Sequence, residues 1–134
     1  MFMLCPLLVG CGDSIVGVWK IAGYSYEFNG EEKVLTLEDA DAIVYDGEIT
    51  NITSEQFYLN QIAYINDSRD QSTFDFKSDK KLILATNEYE WSYDGDKVVI
   101  TMNEMQVTFE KLENGQLKMV FPIGDISINI MLEK

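Results

Sequence analysis

Residues 89–102 read Tyr89-Glu90-Trp91-Ser92-Tyr93-Asp94-Gly95-Asp96-Lys97-Val98-Val99-Ile100-Thr101-Met102, an apolar and polar alternation interrupted by an Asp-Gly-Asp turn. Successive side chains of a strand point to opposite faces, so period two means one apolar face and one wet face. A Gly flanked by Asp between two such runs is hairpin chemistry. The same pattern continues outward. Val107 and Phe109 interleave with Gln106, Thr108 and Glu110. Leu117, Met119 and Phe121 follow the turn Glu113-Asn114-Gly115. Ile126, Ile128, Ile130 and Leu132 follow Pro122-Ile123-Gly124-Asp125. Strands joined by such short turns form an antiparallel meander, since parallel neighbours need long crossovers and read as continuous apolar runs.

The N-terminal half reads as further strands. Residues 16–28 form one long strand in which Gly23 marks a bulge or a sharp bend. Asn29-Gly30-Glu31-Glu32 turns into a strand at 33–37, and 38–42 is one helical turn or a loop. Strands are expected at 43–52, 56–65, 72–77 and 81–86, with a polar loop at 66–71 and no long helix. Short strands with one apolar face each must bury that face against one another. The expected fold is all-β: an antiparallel meander closing as an up-and-down β-barrel of about eight to ten strands, which also removes exposed sheet edges.

The whole chain has 134 residues, 23 Asp+Glu, 10 Lys+Arg and no His, a formal charge of -13. Its 46% hydrophobic residues separate it from acidic disordered chains. Nucleic acid is excluded as a partner, because phosphate contacts need Lys and Arg. Without His, imidazole bases, Cys-His pairs and most zinc sites are ruled out. No nucleophile, base or acid pair is marked, so the chain is read as no enzyme, with no cofactor and no metal. Asp39, Asp41, Asp46 and Glu48 lie close in sequence, but without a calcium-loop register, and acidic loops are ordinary at this charge.

The first ten residues carry no charge and end in Leu8-Val9-Gly10 before Cys11. Leu8-Val9-Gly10-Cys11 resembles the lipobox of bacterial lipoproteins, although no Lys or Arg precedes Lys20. The resemblance implies cleavage before Cys11, a diacylglycerol on its thiol and acylation of the new N-terminus. It divides the chain into a signal segment at 1–10, a lipidated tether at 11–15 and a barrel domain at 16–134. Several acyl chains hold a protein where one is marginal. Gly12 rather than Asp after the cysteine implies, on the same resemblance, the outer membrane of the bacterial envelope. Asp13-Ser14-Ile15 looks like a bacterial O-glycosylation sequon with Ser14 as acceptor, and a polar tether accounts for the same residues.

Gly17-Val18-Trp19 is similar to the Gly-X-Trp motif of lipocalins, in which the tryptophan packs across the closed end of the barrel. With the lipobox and the meander, the chain looks like the small lipocalin-like lipoproteins of Gram-negative bacteria. The resemblance gives Gly17 and Trp19 the role of barrel closure. It departs from the family in two places: there is no Thr-Asp-Tyr-like second motif, and no arginine near the last strands to stack on Trp19. Arg69, the one arginine, falls in a loop.

Two readings of function follow. A small barrel can enclose an apolar ligand, and Tyr24, Tyr26, Tyr64 and Tyr93 are candidate contacts because a phenol offers both ring and hydroxyl. Bulky residues at Trp91, Phe109, Met119 and Phe121 can instead fill the barrel. The chain is then a lipoprotein interaction module that binds or inhibits an envelope protein. In both readings it is a monomer held to the membrane by its N-terminal acyl chains.

Overall fold

The computed structural model describes residues 15–134; Cys11, Ser14 and the segments 1–10 and 11–14 lie outside them. The long first strand, β1 (Gly17–Phe28), turns at Asn29 and Gly30 into β2 (Glu31–Thr36). Both turn residues have positive φ, 54° and 76°, the combination that lets a two-residue hairpin follow the twist of its strands. A short helix α1 (Leu37–Asp41), an irregular stretch and a longer helix α2 (Glu55–Asp67) follow. After a 3-10 turn (Arg69–Gln71) comes the meander: β3 (Phe74–Phe76), β4 (Lys81–Leu84), β5 (Asn87–Asp94), β6 (Lys97–Met102), β7 (Met105–Lys111), β8 (Leu117–Ile123) and β9 (Ile126–Glu133).

Consecutive strands from β3 to β9 pair antiparallel, β9 pairs with β1, and β1 pairs with β3. Eight strands thus close a barrel, and β2 extends it beside the second half of β1. This agrees with the all-β barrel expected from the alternation. Closure depends on a bulge in β1. Ile21 lies opposite Leu132 and Gly23 opposite Met131, so Ala22 is extra and the inward phase shifts from Trp19 and Ile21 to Tyr24 and Tyr26. Gly23 is needed for a second reason: a Cβ there would stand 3.0 Å from the carbonyl oxygen of Leu35 on β2.

Two of the expected strands are absent, and α2 bears on both. Residues 56–65 are helical because Ser54 caps the start, its hydroxyl accepting from Gln56 N–H at 3.2 Å. Tyr58, Leu59, Ile62, Ile65 and Asn66 then fall on one helical face, which packs on the barrel. Residues 43–52 form no strand, and this helix supplies partners for part of their backbone. Asn60 receives Asp46 N–H at 3.0 Å and donates to the Asp46 carbonyl at 2.7 Å, and Gln56 donates to the Val44 carbonyl at 3.0 Å. Side chains of α2 take the place of a ladder partner.

The barrel has two unlike ends. Turns 77–80, 95–96 and 112–116 lie at one, here the lower end, and turns 85–86, 103–104 and 124–125 at the other. The lower half is filled by aromatic rings in edge-to-face contact. Phe76 lies 6.1 Å from Trp91 and 5.2 Å from Phe109 between ring centroids. Truncating a ring of this kind costs about 3–5 kcal/mol. Trp19 is buried there, its indole N–H donating to the Ile15 carbonyl at 2.8 Å. The ammonium of Lys134 stands 5.2 Å from its ring centroid. Gly17, at φ 137°, clears the way: a Cβ on it would lie 3.1 Å from Cε of Lys134.

Candidate functional site

Chemistry concentrates at the upper half, where α2 crosses β1. Tyr24 and Tyr26 sit two residues apart on the inner face of β1, and both are buried. Each phenol reaches a different end of α2. Tyr26 Oη donates to Glu55 Oε2 at 2.7 Å at the first turn, and Tyr24 Oη donates to Asn66 Oδ1 at 3.0 Å at the last. Tyr58 of the helix stacks on Tyr26 at 5.3 Å and meets Phe28 edge-on at 5.7 Å. Burial pushes the Tyr24 hydroxyl up to about 12, and burial together with the Glu55 carboxylate pushes Tyr26 higher still. Both therefore act as neutral donors that fasten the helix.

Asn66 joins this interior to the surface. Its Oδ1 also accepts from Arg69 Nη1 at 2.8 Å, and its Nδ2 donates to Asp41 Oδ1 at 2.7 Å. Arg69 closes the circuit on Asp41 at 2.6 Å. Arg69 and then Asn66 hold the Asp41 carboxyl below its usual range. Four groups from β1, α1, α2 and the 3-10 turn are thus tied together.

Two clefts flank α2. The smaller, of about 210 Å³, opens at the upper end of the barrel and is lined mainly by Ile21, Ile65, Phe74, Met102, Met119 and Ile130. Ser72 and Asn87 add polar atoms to a lining that is otherwise mostly apolar. Its lining joins residues of β1, β3, β4, β6, β8 and β9 to Ile65 of α2. The larger, of about 590 Å³, lies on the other side of the helix among α1, the 43–45 stretch and the 3-10 turn. Ala40, Ile43 and Ala63 supply its apolar lining, Tyr45 and Tyr64 its rings, and Asp41, Asp67, Asp70 and Arg69 its charges.

The four tyrosines singled out in the sequence do not share one pocket. Tyr24 and Tyr26 lie side by side under α2 with their hydroxyls engaged. Tyr64 is on the outward face of α2, 76% exposed, and lines the larger cleft. Tyr93 is at the lower end, its ring 5.5 Å from Trp91 and 5.2 Å from the Lys80 ammonium. Asn66 and Arg69 read in the sequence as ordinary loop polarity. Their partner Tyr24 is 42 residues away from Asn66 in the chain.

The acidic residues of 39–48 have local structural work. Asp39 forms a capping box with Thr36 at the start of α1, Asp41 pairs with Arg69, and Asp46 Oδ1 accepts from Glu48 N–H at 3.1 Å. Among the described residues, no group of His, Cys, Asp or Glu is arranged to hold a metal ion. No described helix is long and apolar enough to cross a membrane.

Comparison with protein-family models, with curated proteins and with solved structures gives no match to this chain.

Proposed function

We infer that this chain is a non-enzymatic, lipid-anchored protein of the bacterial cell envelope whose barrel takes a small apolar ligand in the cleft beneath α2. The cleft itself carries the reading. An apolar cavity of about 150 Å³ is enough to hold a benzene molecule, so 210 Å³ lined by Met, Ile and Phe suits a single ring or a short alkyl chain. Met102 and Met119 give that lining flexible thioethers that adapt to the shape of a guest. Support for the anchor is the lipobox ending at Cys11, with outer-membrane placement resting on Gly12. Support for kinship with lipocalins is Gly17-Val18-Trp19 at the filled end, with Lys134 over the indole.

The two halves of the proposal are tested separately. Growth with a labelled fatty acid marks the protein, and Cys11→Ser removes the mark; label retained in that variant overturns the anchor. For the ligand, Met119→Trp fills the cleft and abolishes binding of short-chain apolar compounds, and unchanged binding overturns the site. The two tryptophans are weak reporters for this purpose, since Trp19 and Trp91 both lie in the filled lower half.

A second reading has one observation in its favour. Val44, Tyr45 and Tyr64 are strongly exposed, and the two tyrosines line one cleft beside α2. Exposed apolar and aromatic residues of that kind suit a protein partner, as in an interaction module.

A further inference from the structure

We propose that the larger cleft, on the outer side of α2, is a binding site for an aliphatic organic cation, an ammonium or guanidinium carried on a short carbon chain. The inference is independent of the apolar ligand, which occupies the opposite side of the helix. Its starting point is the space itself: about 590 Å³ bounded by α1, the 43–45 stretch, α2 and the 3-10 turn. Tyr45 and Tyr64, on separate segments, both line it while remaining 62% and 76% exposed. Neither ring has a stacking or hydrogen-bonding partner among the described residues. Two exposed aromatic rings lining one concavity attract a cation through the ring quadrupole.

The charges select the sign of the ligand. Arg69, the one positive group in the lining, is already neutralised by Asp41 at 2.6 Å and anchored on Asn66 at 2.8 Å. Asp67 has no ion-pair or hydrogen-bond partner among the described residues, and Asp70 stands 3.8 Å from Arg69 with its side chain 96% exposed. The lining therefore sets three carboxylates, Asp41, Asp67 and Asp70, against the single guanidinium of Arg69, with Asp67 the one that has no ion-pair partner among the described residues, beside two rings on a chain of net charge -13. Such a surface concentrates cations and repels anions. Ala40, Ile43 and Ala63 offer methyl and methylene surface for the carbon chain that carries the charge. A free polyamine and the lysine or arginine side chain of a partner both have this chemistry.

The test titrates the intact protein with cadaverine, with pentanediol as the neutral counterpart and with a peptide carrying one central lysine. Binding is followed by the ring-proton shifts of Tyr45 and Tyr64. Cadaverine or the lysine peptide moves both rings saturably and pentanediol does not; whichever binds more tightly identifies the source of the cation. Tyr64→Ala, at an exposed position, weakens binding roughly three-fold, and the Tyr45, Tyr64 double alanine variant roughly ten-fold. Asp67→Asn weakens it, whereas Glu113→Gln, which removes the same charge at the lower end, does so far less. Equal effects of Asp67→Asn and Glu113→Gln, or no effect of Tyr64→Ala, reduce the interaction to diffuse attraction and overturn the site. So does saturable binding of pentanediol at equal affinity.

Discussion

The hydroxyl of Tyr24, inside the barrel, donates at 3.0 Å to Oδ1 of Asn66, which also takes a hydrogen bond from Arg69 at the surface. One amide oxygen thereby fixes the last turn of α2 to the inner wall of β1 and to the loop that follows the helix. Removing the two partners has unequal consequences. In Tyr24→Phe, Asn66 keeps its arginine donor, and the loss is about 1 kcal/mol. In Asn66→Leu the Tyr24 hydroxyl is left buried without an acceptor and Asp41 loses a donor, and the loss is about 2–3 kcal/mol. Urea unfolding midpoints of the two variants measure the difference.

Alkaline pH tests the same contact. The folded state holds the Tyr24 hydroxyl near 12 against an ordinary value of 10, so it keeps a proton that the unfolded chain gives up. The stability from this group is fully present below pH 10 and is lost as pH rises from 10 towards 12, on the order of 2–3 kcal/mol in all. Tyr26, raised further, adds in the same direction. Unfolding free energies measured across this range fall with pH, and they fall less steeply in Tyr24→Phe. Absorbance titration shows a last group of phenols ionising together with loss of the fold.

At the lower end, Gly17 and Lys134 are expected to act as a pair. Gly17→Ala forces a side chain into a left-handed backbone position, φ 137°, and against Cε of Lys134 at 3.1 Å, for a loss of about 1–3 kcal/mol. Lys134→Ala removes the cation over Trp19 at about 0.5–1 kcal/mol. It also removes the clash, so Gly17→Ala costs less on that background. Thermal unfolding of the two single variants and the double variant gives the coupling.

The meander from β5 to β9 was legible in the sequence because strand period, hairpin Gly and a single wet face all agreed over 89–132. The bulge at Gly23 was legible for the same reason, since a Gly inside an otherwise clean strand needs a cause. Helix α2 was not read. Its Phe57, Tyr58, Ile62 and Ile65 favour strands by propensity, and 56–65 carries enough apolar residues to mimic alternation. The signal that distinguishes it is Ser54 as cap followed by Tyr58, Leu59, Ile62 and Ile65 at helical spacing. Tyr24 and Tyr26 could be marked as phenols on the first strand, but their partners Asn66 and Glu55 could not. Pairing across 42 and 29 residues is set by where the helix lands on the barrel, and no local pattern encodes that.

Methionine methyl groups provide the decisive reading of the cleft under α2. Met102 and Met119 line it, whereas Met131, on β9, lies outside that lining. In a carbon-labelled methionine sample titrated with toluene and with short-chain fatty acids, the Met102 and Met119 methyl signals shift saturably and together, and Met131 stays in place. Methyl signals that do not move with any apolar compound, or that move no more at Met102 and Met119 than at Met131, contradict ligand binding in the barrel.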